Sequence, residues 1–215
     1  MVGRALVAEW EGRMEIDTRN AGFWRWYRVL PLFLMAAILA LSLGVGFMPK
    51  PLVRSLFFPV SYAERIDDAA ERHGVDAHLV AAVIRCESRW NEQAQSRAGA
   101  VGLMQRMPDT AKMVSQMGTV DTNHYNPSDL TDPATNIEYG TAYLSYLQSN
   151  LANDDEVIAA YNAGLGSVQS WQASSDGTGE FVDSIAYPET RHYVERVNEA
   201  LRQYQQYYPN QMSTR

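Results

Sequence analysis

The stretch DAHLVAAVIRCESR, residues 76–89, opens on an aspartate able to cap a helix, and Val80, Val83 and Ile84 follow at helical spacing. Glu87 extends that row, since Val80, Ile84 and Glu87 stand at i, i+4 and i+7. Its carboxylate therefore emerges at the C-terminal end of an apolar helix face. Most helix carboxylates sit on the solvated face, as Glu71 is expected to. Burial against apolar surface disfavours a charged carboxyl and raises its pKa, and a carboxyl protonated near neutral pH can serve as a general acid. The same pattern also fits a buried glutamate paired with Arg85, Arg89 or Arg97. Cys86 adjoins Glu87 but points ~100° away around the helix, and it reads as a small core residue rather than a nucleophile.

Working outward, residues 61–215 read as short helices with almost no period-2 alternation, so the fold class is mainly α. Ser61-x-x-Glu64 has the form of a capping box. Ile66, Ala69, Ala70 and His73 follow at helical spacing, and Gly74 closes that helix. The stretch 91–108, with Gly99 and Gly102, reads as a turn-rich loop, and a helix runs from about Thr110 to Gly118. Residues 119–131 are loop. Asp132-Pro133 is an N-cap followed by proline at the first helical position. Ile137, Gly140, Leu144, Leu147 and Leu151 then keep one apolar face. Asp155 opens a short helix ending at Gly164. Residues 172–187, rich in Ser, Gly and Asp, read as loop. Val194, Val197, Leu201, Tyr204 and Tyr208 line a long terminal helix. About 155 residues of this kind can bury one core.

Before this domain, Val29 to Met48 reads VLPLFLMAAILALSLGVGFM, without one charge. Such a run matches ~30 Å of hydrocarbon, so residues 29–48 are expected to form a single transmembrane anchor. A cleavable signal peptide would have an apolar region of ~7–15 residues near the terminus, and here the run is longer and follows 28 residues. Arg13, Arg19, Arg25 and Arg28 precede it, while Lys50, Arg54 and Arg65 follow it, which points the N-terminus weakly inward. Trp24, Trp26 and Tyr27 read as an interfacial aromatic belt. Residues 1–28 are then a cytoplasmic tail. Residues 49–60, with Pro49, Pro51 and Pro59, form a short stiff stalk.

Composition excludes several classes. The chain of 215 residues has a formal net charge of −7, and residues 61–215 carry 11 Lys/Arg against 21 Asp/Glu. That acidity argues against nucleic acid as a partner. One cysteine permits no intramolecular disulfide and no cysteine zinc site. His73, His78, His124 and His192 show no metal-binding spacing, so no metal and no cofactor is expected.

Downstream of Glu87-Ser88 come Ser96-x-x-Gly99-Ala100-Val101-Gly102-Leu103-Met104-Gln105 and Met107-Pro108, then Ala160-Tyr161-Asn162-Ala163-Gly164, then Glu189-Thr190-x-x-Tyr193. In this order and spacing they resemble the soluble-lytic-transglycosylase family, over about residues 61–208. The resemblance implies a lysozyme-like helical catalytic domain over 61–215 and peptidoglycan glycan strands as substrate. Glu87 would be the general acid/base, with Ser96 beside its carboxyl. Met104, Gln105 and Met107 would line the glycan cleft, Gln105 bonding an acetamido or hydroxyl group. Tyr161 and Asn162 would face the scissile sugar, and Glu189 and Tyr193 would close the far wall. Met104 and Met107 also fit as core filler, and Tyr161 as a core tyrosine with a satisfied hydroxyl. Two positions depart from the family pattern. Trp90 replaces a common phenylalanine, and Arg106 stands in GLMQRMP where an aliphatic residue is usual. The sequence leaves open whether Arg106 is exposed or reaches toward substrate.

Glycosidases usually use two carboxylates, and no second acid is fixed here by a motif, apart from Glu189 in a supporting place. A single carboxyl suits a substrate-assisted route. The product would be a 1,6-anhydromuramic acid end, formed by cleaving the β-1,4 bond from N-acetylmuramic acid to N-acetylglucosamine. A hydrolytic muramidase or chitinase on the same fold, and a non-catalytic glycan-binding scaffold, are the alternatives. Peptidoglycan lies outside the cytoplasmic membrane, so the resemblance also places the C-terminal domain outside a bacterial cytoplasmic membrane. No protein partner is implied.

Overall fold

The computed structural model describes residues 21–46, 49–174 and 180–213, except for the side chains at 21–28, 43, 45, 46 and 50. The chain divides into two compact units, Met1–Leu52 and Val53–Arg215.

In the first unit, helix α1 spans Ala21–Gly46 with Pro31 inside it. Its described apolar side chains face outward; Phe33 is 68% and Leu41 70% exposed. Among the described residues, no helix is long and apolar enough to cross a membrane. The C-terminal end of the expected span 29–48 lies partly outside the described residues, as does the expected tail over residues 1–20 and the side chains of Trp24, Trp26 and Tyr27. Helix α2, Lys50–Phe57, occupies most of the expected stalk. From Val53 onward the chain belongs to the second unit, within which the Arg85 guanidinium donates to the Phe57 carbonyl and the Arg54 guanidinium lies 3.9 Å over the Tyr208 ring.

In the second unit, helices α3 (Ala63–His73), α4 (Ala77–Glu87), α5 (Pro108–Gln116), α6 (Pro133–Asn150), α7 (Asp154–Ala163), α8 (Leu165–Ser174), α9 (Phe181–Ser184) and α10 (Pro188–Tyr207) follow in order. No named strand occurs among the described residues, only isolated bridges of Val101 with Gln95 and with Arg106. Helices α4 and α7 pack on α10, while α3, α5 and α7 pack around α6.

The caps follow local chemistry. The Asp76 carboxylate accepts from the His78 backbone N–H, Asp132 accepts from Thr135, and Gly74 closes α3 at φ 67° with its N–H on the Ala70 carbonyl. The expected capping box does not form. Tyr62, at φ 58°, precedes α3 in place of Ser61, and no side chain caps it. The Tyr62 hydroxyl instead donates to Glu92, which fixes the chain entry from outside the helix.

Helix α6 is not the one-sided amphipathic helix the sequence suggests. Residues 135–144 are all buried, including Asn136, Glu138 and Thr141. A helix surrounded by neighbours has no solvated face, so its polar side chains look for partners inside the protein; Glu138 finds Arg72 and His73, while the Thr141 hydroxyl has none among the described residues. Asn136 donates to the Val101 and Leu130 carbonyls and accepts from the Met104 N–H. Helices α8 and α9 were not expected, and α9 lies inside the stretch read as loop. Val168 and Trp171 anchor α8 in the core. Tertiary burial there overrides a Ser- and Gln-rich composition.

Candidate active site

Helix α4 buries Leu79 to Ile84 completely or nearly so, which at about 1.5–3 kcal/mol per large apolar side chain fixes it firmly against α10. It stops at Glu87 because the chain turns back: Arg89 and Trp90 both adopt left-handed backbone, at φ 52° and 68°. Trp90 then packs edge-on against Tyr204, 6.4 Å between ring centroids.

Glu87 thus sits half-buried on the last turn of α4, facing α10. Burial raises its carboxyl pKa above the ordinary value, against the opposing effects of a Tyr193 hydrogen bond and of the Arg106 and Arg196 charges. The negative end of the helix dipole acts in the same direction as burial. The Tyr193 hydroxyl donates to Glu87 Oε1 at 2.7 Å. No ion pair joins Glu87 to Arg85, Arg89 or Arg97 among the described residues. Arg85 is instead turned to the Phe57 carbonyl and the Phe58 ring. Burial also pushes the Cys86 thiol up, leaving it protonated and unreactive.

The opposite wall is the loop 94–107. Gly102, at φ 80°, lets this loop fold onto α6; a Cβ there would stand 2.3 Å from the Asn136 amide nitrogen and 2.6 Å from the Leu130 carbonyl. Gln105 also has positive φ, and its amide nitrogen donates to the Ala94 and Gly102 carbonyls. Both amide hydrogens are therefore committed to the loop, which leaves the side-chain oxygen for a ligand. Met107 is exposed at the rim.

The expectation for Met104 needs correction. Its side chain is fully buried against Gly140, whose lack of a Cβ makes room for the sulfur. It therefore offers no surface to a glycan. Its carbonyl serves instead, accepting from the Tyr161 hydroxyl at 2.9 Å and from Arg106 Nε at 3.0 Å. Ser96 is exposed, and its hydroxyl accepts from the Ala100 N–H. The bond to Glu87 comes from Tyr193, not from Ser96.

Tyr161 is 5% exposed and Tyr193 2%. Burial holds both phenols protonated and able to donate. Asn162 is exposed, its side-chain oxygen accepting from Thr190 at 2.8 Å. This bond ties the Ala160–Gly164 segment to the start of α10. Glu189 stands exposed beside it. The structure thus brings Glu87, Tyr161 and Tyr193 into one electrostatic cluster.

Sequence reasoning missed Thr190 as the tie to Asn162, Tyr143 behind Tyr161, and the place of Arg106. Arg106 is 5% exposed, with its guanidinium 3.6 Å from the Tyr161 ring centroid and 5.1 Å from that of Tyr143. The histidines have protein partners: His73 meets Glu138, His78 meets Asp76 and the Tyr208 carbonyl, His124 packs on Tyr125, and His192 meets Glu195.

The helical domain that carries this carboxyl is similar in fold to lytic transglycosylases of known structure. The 70-kDa soluble lytic transglycosylase of Escherichia coli superposes with a TM-score of 0.66 at 35% identity, over 72% of this chain and 26% of that one. The lytic transglycosylase Slt of Pseudomonas aeruginosa gives 0.65 at 30% identity, over 75% of this chain and 27% of that one. The Transglycosylase SLT domain family matches residues 64–183, and the chain belongs to that family. The soluble lytic murein transglycosylase of Escherichia coli (strain K12) is 38% identical over 144 residues, 65% of this chain and 22% of that protein. The membrane-bound lytic murein transglycosylase C of Edwardsiella ictaluri is 33% identical over 165 residues, 66% of this chain and 46% of that protein. The chain therefore spans about a fifth of the soluble relatives it matches and under half of the membrane-bound ones.

Proposed function

We propose that the protein is a membrane-anchored lytic transglycosylase of peptidoglycan, with Glu87 as its acid and base. The observation that carries this is the Glu87 environment: a carboxyl whose pKa burial raises, bonded by Tyr193, within a chain of the SLT family. In the first step Glu87 donates its proton to the glycosidic oxygen as the bond from C1 of N-acetylmuramic acid breaks. The 2-acetamido group of the same sugar stabilises the cation at C1. In the second step the Glu87 carboxylate takes the proton of the 6-hydroxyl, and O6 closes on C1. The proton count returns to its start, no water is consumed, and the product ends in a 1,6-anhydro ring. Tyr193 positions Glu87. Tyr161, Asn162, Gln105, Met107, Ser96 and Glu189 are the groups available to the glycan around it.

The anchor belongs to the same reading. Residues 29–48 would span a bacterial cytoplasmic membrane, with 1–28 inside, 49–60 as the connection and 61–215 as the catalytic domain outside. Its support is the uncharged sequence, the outward apolar side chains of α1, and similarity to relatives named membrane-bound.

The test is mass spectrometry of peptidoglycan digested by the purified full chain, beside Glu87→Gln. Anhydromuramyl ends that vanish in the variant are expected. Reducing ends would move the reaction to hydrolysis. Binding without products would leave a glycan-binding scaffold.

A further inference from the structure

A cavity of about 830 Å³ lies where the end of α2, the end of α4 and the middle of α10 meet. All of its walls belong to the second unit. Phe57, Phe58 and Trp90 give it apolar surface, and Arg85, Arg89 and Arg196 bring positive charge. Cys86 is in the wall and Glu87 is not, since the two point ~100° apart around α4. The proposed reaction therefore makes no use of this space.

Glu195 and Glu199 also reach the wall, so three guanidinia stand with two carboxylates. Those carboxylates are engaged along α10. Glu195 meets His192 at 3.1 Å, and Glu199 accepts from Arg202 at 2.5 Å and from Gln203 at 2.6 Å. None of the three arginines of the wall forms an ion pair among the described residues. Arg85 donates to the Phe57 carbonyl and lies 4.9 Å from the Phe58 ring centroid, and Arg196 lies 5.7 Å from that of Tyr193. The Arg89 side chain is exposed and unbonded among the described residues. An anion complements such a set, and the rings require an apolar body beside it. The rim adds a further requirement. Leu56 is 60% and Phe57 51% exposed.

We propose that this cavity binds an anionic phospholipid, its phosphodiester on the arginines and the start of its acyl chains against Leu56, Phe57 and Phe58. The inference rests on the membrane-anchored reading of residues 29–48. Helix α2 starts two residues after Met48, and its eight residues rise only about 12 Å. The cavity is thus tethered close to the bilayer surface. A phosphodiester carries one negative charge, equal to the excess of three guanidinia over two carboxylates. A soluble anion accounts for the arginines but leaves Leu56 and Phe57 in water; a lipid covers both. The bound lipid gives the catalytic domain a second attachment to the membrane.

Native mass spectrometry of the detergent-solubilised full chain tests this. The chain is titrated with dioleoyl phosphatidylglycerol, with dioleoyl phosphatidylcholine and with glycerol phosphate, for the wild type, Arg89→Gln and Leu56→Gln. Lipid around the anchor is common to all three proteins, so the readout is the difference between them. The wild type should retain phosphatidylglycerol over phosphatidylcholine. Arg89→Gln should weaken phosphatidylglycerol about fivefold, the loss expected for one basic residue at an anionic surface, and leave phosphatidylcholine unchanged. Leu56→Gln should weaken both lipids. Equal retention of the two lipids by the wild type, or of phosphatidylglycerol by the wild type and Arg89→Gln, overturns the inference. Glycerol phosphate retained as well as the lipid overturns it in favour of a free anion. Carbonate washing of membranes carrying the same chains separates the two readings. A wild type that washes off sinks the anchor, while phosphatidylglycerol retention lost in Arg89→Gln still stands as a lipid site. Chains that stay in the membrane with unchanged lipid retention sink the site and leave the anchor.

Discussion

Two carboxylates of the same helical domain are driven in opposite directions. Glu138, on α6, is 3% exposed and meets Arg72 at 2.6 Å and His73 at 2.8 Å. Those partners outweigh burial and hold its pKa below the ordinary value. Glu87, on α4, has burial as its leading influence and a neutral phenol as its bonded partner, and its pKa is raised. Both sit on apolar helices near the domain centre. What separates the lowered carboxyl from the raised one here is whether a cation is within bonding distance. Glu138 ties α3 to α6 and has no proton to give near neutral pH. Burial holds the Glu87 carboxyl above its ordinary pKa because its cations stand off.

The sharpest way to break this contrast is to remove each carboxylate in turn. Glu87→Gln should lower the cleavage rate by about 10³-fold or more, the range of a general acid/base group, with circular dichroism unchanged. It should also stabilise the fold as pH rises. A raised carboxyl favours the folded state below the ordinary carboxylate pKa, and that contribution is lost as pH rises through the folded value. Glutamine has no such loss. Glu138→Ala should do the reverse: cleavage well below the melting temperature persists, and chemical denaturation shows a loss of about 3 kcal/mol. For Glu138 the stabilisation is present above the ordinary carboxylate pKa and fades as pH falls through its lowered value. Equal activity losses in both variants would erase the distinction.

The sequence made one of these carboxylates visible and hid the other. Glu87 stood out because it continues an apolar i, i+4, i+7 row and precedes an ordered set of motifs. Glu138 carries no such mark, because α6 is buried all round and a period-3.6 stripe has no meaning there. Its partners Arg72 and His73 lie over 60 residues away in the chain, and pairings of that range leave no local signal. Ser61-x-x-Glu64 had the right letters for a capping box, but Tyr62 adopts left-handed backbone and starts the helix a residue late. Met104 was readable as cleft or core, and the bare Gly140 beside it settles the matter for the core. Arg106 was visible as an odd residue, while its stacking on Tyr161 depends on α7, 55 residues onward.

Gly140 joins the two regions, since it lies one half-turn beyond Glu138 and receives the Met104 sulfur. A Cβ there would stand 2.3 Å from that sulfur. Gly140→Ala should therefore cost about 2 kcal/mol by overpacking, read as a lower melting temperature. It should also lower cleavage at temperatures where the fold persists, because the displaced Met104 carbonyl anchors Tyr161 and Arg106. Loss of stability with unchanged cleavage would show that the site does not lean on this contact.

The smallest expected effect sharpens the contrast most. Tyr193→Phe removes one neutral donor from Glu87 and should cost about 1 kcal/mol at neutral pH. A hydrogen bond to the charged form favours that form, so its removal should raise the Glu87 titration further and carry the alkaline limb of the pH–rate profile upward. The stability loss should shrink as pH falls and Glu87 is protonated in both proteins. At Glu138 the matching deletion, Arg72→Met, should also raise the carboxyl titration, yet His73 remains bonded, so the acid limb of the stability curve moves without touching the rate profile. A phenol that leaves the Glu87 titration in place when deleted would be packing alone, and positioning of the carboxyl would then fall to the cations around it.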